Sequence, residues 1–176
     1  MVTRTVLFLI ILATIVSIGC AGGKPGKTVE PISSNSGGTT ESRAGPVSPT
    51  WIDAEVEGPA ISIPAIEVDS GKMLHFRVTI QETSQAYMVY KLGGETYVRA
   101  NICPPCRSVG FSLLGNTLVC NTCGTKFEAS TGKGISGACK DYPKAQVAYV
   151  ISADRITMGI DDLLTAYENT QRPGLP

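Results

Sequence analysis

Two Cys-x-x-Cys pairs constrain this chain more than any other feature of its sequence. Thirteen residues separate the pairs, whose members are Cys103, Cys106, Cys120 and Cys123. The separating segment predicts a hairpin, with strands at 111–114 and 117–120. The two strands are joined by Gly115 and Asn116, which tolerate the positive φ angles of tight turns. Folding this hairpin places its open ends side by side, and each open end carries one pair. We therefore expect four thiols to converge on one site.

Four thiolates at this spacing suit a metal centre. The two-residue gap lets both sulfurs of a pair point inward around a turn, and Gly124 permits the backbone to turn back toward them. Such a ligand set fits tetrahedral zinc, a single iron or an iron–sulfur cluster, and the spacing does not choose among them. Two disulfides are an alternative, because an exported protein meets an oxidising environment. A thioredoxin-type dithiol is disfavoured, because Pro104 and Pro105 lead into a hairpin and not a helix.

Composition excludes two roles. Fifteen basic and fifteen acidic residues balance, so the chain has no basic field that would hold nucleic acid. With a single histidine and no glycine-rich phosphate loop, the sequence shows no catalytic constellation, and we do not expect an enzyme. The 19 glycines and 11 prolines favour a loop-rich β domain over a helical bundle.

The pattern of side chains predicts an all-β fold. Residues 73–80 alternate, so that Leu74 and Phe76 face one way while His75 faces the other. The other predicted strands cover residues 61–68, 87–92, 95–100, 148–152 and 155–158, a further turn is predicted at 131–134, and one or two helical turns follow at 160–164. Pro64 interrupts the first of these strands, which we therefore expect at a sheet edge or a bulge. Short strands with frequent turns predict a small β sandwich or barrel.

The N-terminus is predicted to be a targeting segment. Arg4 precedes an apolar run of thirteen residues, 6–18. This length suits a signal peptide, whereas a spanning helix needs about 20 apolar residues. Gly19 and Cys20 then resemble the lipobox of bacterial lipoproteins, in which Cys20 would be lipidated, and an uncleaved membrane anchor is the alternative. The expected domains are a signal, lipoprotein-type or anchor segment (1–20), a flexible Gly/Ser/Pro-rich tether (21–50) and a four-cysteine metal-binding β domain (51–176).

Several segments outside the cysteine pairs match a known family pattern. The matching residues are 98–103, Cys106, Gly110, Phe111, 118–124, Phe127, 137–139 and Pro143, with 71–76 upstream and 156–158 near the end. On these residues the chain resembles the FtrD-like membrane iron–sulfur protein family, over residues 60–163. The resemblance implies an iron–sulfur cofactor, membrane association and electron transfer, which in some members is linked to ferrous-iron uptake.

A more distant likeness is to Rieske ferredoxins. In that family a Cys-x-His loop and a Cys-x-x-His loop lie at hairpin ends, followed by a Phe and a Thr-Gly turn similar to Phe127, Thr131 and Gly132. Cys106 and Cys123 stand where the histidines would be. The likeness implies a Rieske-like or zinc-ribbon-like β domain with an all-thiolate ligand set. Its added negative charge predicts a reduction potential below that of a Rieske centre.

Four further side chains are candidates for a role near the site. Cys139 is a candidate accessory thiol, which serves as a spare ligand or tunes the centre, or else is a small buried residue. His75 lies on the polar side of its strand and is expected to face solvent. Arg107 and Lys126 border the two pairs, and we expect them to be solvated, although they could offset thiolate charge.

Together these features predict a membrane-tethered, extracytoplasmic iron–sulfur protein that transfers electrons and catalyses no bond chemistry. The predicted ligands are Cys103, Cys106, Cys120 and Cys123. The expected partners are the membrane, through the N-terminal anchor, and a redox protein of the membrane or envelope. The expected location is the extracytoplasmic face of the cell membrane. The alternatives are a structural zinc-binding interaction module, which would be colourless, and a disulfide-stapled domain without metal.

Overall fold

The computed structural model describes residues 45–175, and this part of the chain consists mainly of short strands. The strands within it are β1 (Pro49–Ile52), β2 (Glu55–Glu57), β3 (Ala60–Pro64), β4 (Met73–Ile80), β5 (Thr83–Leu92), β6 (Glu95–Ala100), β7 (Phe111–Leu114), β8 (Thr117–Cys120), β9 (Lys126–Glu128), β10 (Gly134–Ser136), β11 (Val150–Ser152) and β12 (Arg155–Gly159). The helices are α1 (Ala65–Asp69) and α2 (Ile160–Thr170). The predicted all-β class is confirmed. The predicted targeting segment with Cys20, and the tether as far as residue 44, lie outside the described residues.

The strands form three sheets of four. The central sheet has the order β1-β4-β5-β6, in which β1 is parallel to β4 and the other pairs are antiparallel. The cysteine sheet has the order β10-β9-β8-β7, and the end sheet has the order β11-β12-β3-β2. Ordered pairing begins ahead of the expected boundary at residue 51, because β1 starts at Pro49 and Val47 pairs with Leu113.

The central sheet is covered on both faces. Leu74 and Phe76 of β4 pack with the end sheet and α2 in one apolar core. Met73 of β4 and Tyr90 of β5 belong to a second core, which includes Phe111 and other side chains of the cysteine sheet. Residues 73–76 are consequently all buried. His75 has no exposed surface, so the expectation that it faces solvent is wrong. The alternation of β4 is as predicted, but the start of its polar side, at Met73 and His75, is buried, while Arg77 and Thr79 are exposed.

The tight turns agree with the expected ones. Gly115 links β7 and β8 with a φ of 55°, and Gly93 and Gly94 link β5 and β6 with φ values of 60° and 90°. All three lie in the left-handed region that glycine enters without steric cost. The last hairpin turns at Ala153, with a φ of 52°. Because each turn has its own local residue signal, these hairpins were predictable from short stretches of sequence.

Strands β1, β2, β9 and β10 were not predicted, β5 begins ahead of the predicted residue 87, and two predicted elements are wrong in type or length. Residues 61–68 do not form one strand, because β3 ends at Pro64 and α1 begins at Ala65. Proline has no N–H for the sheet, and its φ of −66° suits the residue that precedes a helix. The strand is also internal, since β3 lies between β12 and β2. Helix α2 runs to Thr170, well past the expected 160–164, because Leu163 and Ala166 extend its buried face against the core.

Candidate metal centre

The four cysteines of the two pairs meet at one point. Their Sγ atoms all lie within 4.8 Å of one another. Each contact crosses between the pairs: Cys103 Sγ is 4.0 Å from Cys123 Sγ, and Cys106 Sγ is 3.8 Å from Cys120 Sγ. This convergence is the one that the hairpin predicted. The first pair lies in the loop that follows β6, after Ala100. The second pair begins at Cys120, the last residue of β8.

The two cysteine loops share one backbone geometry. The N–H of Cys103 donates to the carbonyl of Ser108 at 2.8 Å, and the N–H of Cys120 donates to the carbonyl of Thr125 at 2.9 Å. Both bonds therefore span five residues. The residue after the second cysteine of each loop is left-handed, with φ values of 55° at Arg107 and 68° at Gly124. The two loops are thus equivalent, and each presents its two sulfurs in the same way: the first cysteine (Cys103 or Cys120) supplies the inner sulfur and the second (Cys106 or Cys123) supplies the outer one.

Burial distinguishes the inner sulfurs from the outer ones. Cys103 and Cys120 are buried, Cys106 is half-buried and Cys123 is exposed. The inner pair belongs to the second apolar core, whose rings include Phe111 and Phe127 in edge-to-face contact at 5.9 Å. The site therefore has a dry inner wall and an outer side that solvent or another protein can reach.

The four cysteine thiols differ in their pKa values. A hydrogen bond between Cys103 and Cys120 raises the pKa of Cys103 and lowers the pKa of Cys120 to about 4. Burial raises the pKa of Cys106 to about 11. Burial also raises the pKa of Cys123, but its hydrogen bonds with the side chain and backbone of Thr125 and with Cys106 outweigh burial, and its pKa is lowered overall. The pKa shifts of Cys120 and Cys123 are both in the direction that favours the thiolate, which is the form of cysteine that metals bind.

Two buried cations lie beside the site, and the sequence analysis identified neither. Lys144 has no exposed surface, and its Nζ donates to the carbonyl of Ile102 at 2.7 Å. The same Nζ lies 4.6 Å from the ring centre of Phe127 and 5.4 Å from that of Phe111. Burial lowers the pKa of Lys144 to about 8, and the charge on the neighbouring cysteine sulfurs raises it in part. No spacing or motif in the sequence sets this lysine apart from the others.

Arg99 is the second buried cation. Its guanidinium donates to Tyr90 Oη at 2.9 Å and to the carbonyls of Ser130 at 2.7 Å, Lys144 at 2.8 Å and Thr131 at 3.4 Å. These bonds tie the loop after β9 and the backbone of Lys144 to the central sheet. Arg107 and Lys126, which the sequence places beside the cysteine pairs, are exposed.

Cys139 and His75 have separate surroundings. Cys139 is buried, its N–H donates to Thr125 Oγ1 at 3.2 Å, and its Sγ lies 3.7 Å from Cys123 Sγ, so it adjoins the site. His75 contacts Trp51 edge-to-face at 5.1 Å, and within residues 45–175 neither ring nitrogen has a hydrogen-bond partner. Burial, with a smaller contribution from Arg77, lowers the pKa of His75 to about 4.

Fold and site together define a small β protein with a tetrathiolate site that is buried on one side. The sequence profile described as membrane iron–sulfur containing protein FtrD-like matches residues 68–169. The chain therefore belongs to the FtrD-like family of membrane iron–sulfur containing proteins, as its motifs predicted. The four converging thiols fit an iron–sulfur cluster, since cysteine thiolates are the usual ligands of such clusters. An iron–sulfur cofactor is thereby supported over the zinc alternative.

Solved structures and curated proteins were compared as well. A chain of the complex of reduced oxygenase and oxidized ferredoxin in carbazole 1,9a-dioxygenase is similar at 18% identity and a TM-score of 0.49, covering 59% of this chain and 95% of that one. A ferredoxin of Sphingomonas yanoikuyae B1 is similar at 23% identity and a TM-score of 0.39, covering 47% of this chain and 83% of that one. No curated protein matches the chain. Neither α1 nor α2, the helices of residues 45–175, is long and apolar enough to cross a membrane.

Proposed function

We propose that this chain is an electron carrier whose iron–sulfur cluster is held by the four sulfurs of the paired loops. The observation that carries the proposal is the convergence of those sulfurs within 4.8 Å in a member of an iron–sulfur family. The ligands are Cys103, Cys106, Cys120 and Cys123. When bound, an iron–sulfur cluster supplies the capacity to accept and release single electrons.

The surrounding side chains suit electron transfer better than bond chemistry. Phe111, Phe127 and Leu118 are fully buried on the inner side of the site and exclude water from it. Cys123 is exposed on the outer side, where a redox partner can approach within a short distance of the cluster. We therefore infer a carrier and not an enzyme, with a redox protein of the membrane or envelope as its partner.

We further propose that the carrier is tethered to the extracytoplasmic face of the cell membrane. The support is the apolar run at 6–18 followed by Gly19 and Cys20, together with the family description as membrane proteins. In this arrangement Cys20 carries the lipid, or the uncleaved segment serves as anchor. The tether then runs from residue 21 to the start of the cysteine domain, whose first paired residue among those described is Val47. A link to iron uptake or to another membrane redox system follows from the family resemblance.

The test of the cofactor is metal and sulfide analysis of the full chain, purified anaerobically in detergent. We expect iron with acid-labile sulfide, visible absorption that bleaches on reduction, and a paramagnetic resonance signal in one of the two redox states. A colourless protein with one equivalent of zinc would overturn the electron-carrier proposal and leave the same four cysteines as a structural zinc site.

The tether is tested by labelling with a fatty acid in cells. We expect incorporation into the native chain and none into Cys20→Ser, with Cys139→Ser as a control that keeps the label. Equal labelling of all three chains, or none in the native chain, would contradict lipidation at Cys20.

A further inference from the structure

The interior of this domain carries positive charge without a matching carboxylate. Among the buried residues between 45 and 175, the charged side chains are Arg99 and Lys144, and none is Asp or Glu. Neither cation takes part in an ion pair of the described chain, since those pairs lie at exposed or partly exposed positions. A buried charge is costly unless an opposite charge or several hydrogen bonds compensate it. Each cation therefore needs an explanation.

Arg99 is explained by its hydrogen bonds. Four oxygens accept from its guanidinium, three of which are backbone carbonyls. Carbonyl dipoles directed at the charge replace the water that the side chain has lost. Its role is to hold together the loops that it bonds.

Lys144 is not explained in the same way. Its ammonium has three donors, and the structure gives it a single hydrogen-bond acceptor, the carbonyl of Ile102. Its other close neighbours are the rings of Phe111 and Phe127. The faces of aromatic rings attract a cation, but more weakly than a carboxylate does at the same burial. The carbonyl and the two rings therefore do not fully compensate the buried charge of Lys144, and a nearby negative charge is needed.

The sulfur site is the source of negative charge beside Lys144. Ile102, the acceptor, directly precedes Cys103, and Phe111 is the register partner of Cys120 across the hairpin. The ammonium is therefore held against the backbone and ring that adjoin the two inner sulfurs. Burial lowers the pKa of Lys144, and the charge of the nearby cysteine sulfurs, Cys103 first among them, opposes this shift. Little water lies between them to screen the attraction, because Lys144, Cys103 and Cys120 are all buried.

We propose that Lys144 is the internal countercharge of the metal centre and that it raises the reduction potential. The proposal rests on the electron-carrier function above. A one-electron donor protein supplies the electron, which adds one negative charge to a centre that four thiolates already make negative. Lys144 keeps its proton, and no bond is formed or broken. Since a fixed positive charge stabilises the reduced form more than the oxidised form, it favours acceptance of the electron. Lys144 thus acts on the centre through its positive charge and does not bind the metal.

The test compares Lys144→Met with two matched variants of the full chain. Met fills a similar volume without charge, and Lys144→Arg keeps the charge. Lys126→Met removes the same charge from an exposed position on β9, where water screens it. The readout is the ratio of oxidised to reduced centre at a fixed ambient potential, followed by visible absorption and paramagnetic resonance.

We expect Lys144→Met to shift this ratio toward the oxidised form by at least tenfold, which corresponds to about 59 mV for one electron. Lys126→Met should shift it less than twofold, and Lys144→Arg should restore most of the native ratio. An unchanged ratio in Lys144→Met, or an equal shift in both methionine variants, overturns the inference. Native protein that contains no iron or sulfide overturns the proposed function instead, so the two failures are distinguishable.

A purely structural role for Lys144 is tested by thermal unfolding with and without the cofactor. The countercharge role predicts that Lys144→Met lowers the melting temperature more in the cofactor-loaded protein than in the metal-free protein. The reason is that the loaded site carries more negative charge for the lysine to stabilise. Equal losses in both forms, or a variant that is unfolded without the cofactor, assign Lys144 to structure alone and overturn the inference.

Discussion

The Sγ of Cys139 lies 3.7 Å from the Sγ of Cys123, so a fifth thiol adjoins the four that meet between the paired loops. Cys139 is buried, whereas Cys123 is exposed. The backbone N–H of Cys139 is also bonded to the Thr125 side chain, which anchors it beside the second loop. The two sulfurs are close enough that the ligand set has to be established by substitution.

The first prediction separates ligands from the accessory thiol. We expect Cys103→Ser and Cys120→Ser to lose the iron and the visible absorption, because each removes an inner sulfur of the converging set. Cys139→Ser should retain the iron content of the native chain and change only the line shape of its spectrum. The measurement is iron and sulfide per chain after anaerobic purification. Loss of the cofactor in Cys139→Ser with retention in Cys123→Ser would mean that Cys139 is the fourth ligand.

The second prediction concerns the reduction potential. Four thiolates place more negative charge on a cluster than the two cysteines and two histidines of a Rieske centre. We expect a midpoint below about −150 mV, the lower end of the Rieske range, even with Lys144 as countercharge. A redox titration of the purified protein measures it. A midpoint inside the Rieske range would contradict this prediction and show that the thiolate charge does not set the potential.

The third prediction uses the equivalence of the two cysteine loops. Arg107 and Gly124 occupy matching left-handed positions, with φ values of 55° and 68°. A side chain in this region costs about 1 to 2 kcal/mol, which glycine avoids. Arg107→Gly should therefore have a free energy of unfolding about 1 kcal/mol higher than Arg107→Ala, since both remove the same charge. Denaturant unfolding of the two variants measures the difference. Equal stability would show that the loop relaxes without strain.

A fourth prediction concerns the close packing of the loop after β9. Gly132 has a φ of 77°, and an added Cβ would press against the carbonyl oxygen of Lys144 and lie 2.8 Å from Arg99 Nη1. Gly115 has a similar φ of 55° but no atom within 4 Å of an added Cβ. Gly132→Ala should be less stable than Gly115→Ala by about 2 kcal/mol or more, because it adds a clash to the same backbone strain. Chemical denaturation of the two alanine variants measures their free energies of unfolding. Similar losses of stability would mean that the backbone strain accounts for both and that the added Cβ at residue 132 causes no clash.

A fifth prediction follows from the burial of His75. Its pKa in the folded chain is about 4, against an ordinary value of 6.5, chiefly because burial disfavours the charged ring and Arg77 adds repulsion. The unfolded chain thus binds a proton first as pH falls. The stability contributed by the neutral ring is complete above pH 6.5 and is lost between about pH 6.5 and pH 4. The loss should be about 2 kcal/mol by pH 5.

The check is unfolding of the metal-free protein at pH 7 and pH 5, with His75→Leu as the reference. The leucine variant removes this histidine and keeps every other titrating group, so the difference in pH dependence isolates His75. A native chain and a variant with the same pH dependence would show that His75 is not held neutral.

The sequence determined the local features of this protein. The hairpin of β7 and β8, its turn at Gly115 and the meeting of the two cysteine pairs all follow from residues within about twenty positions of one another. Turn geometry depends on nearest neighbours, and a Cys-x-x-Cys spacing dictates how two sulfurs can point. For the same reason the alternation of β4 was predictable, although its environment was not.

Only the tertiary structure decided what covers each face. His75 is buried in edge-to-face contact with Trp51 of β1, and α2 extends to Thr170 because the core offers its apolar side a surface. Lys144 lies far along the chain from Phe111, and only the packed fold brings its charge behind the inner sulfurs. A side chain's burial and charge partners depend on contacts between distant segments, which no periodicity in one segment records. The convergence of the four cysteines was therefore predictable from the sequence, whereas the buried charges around them were not.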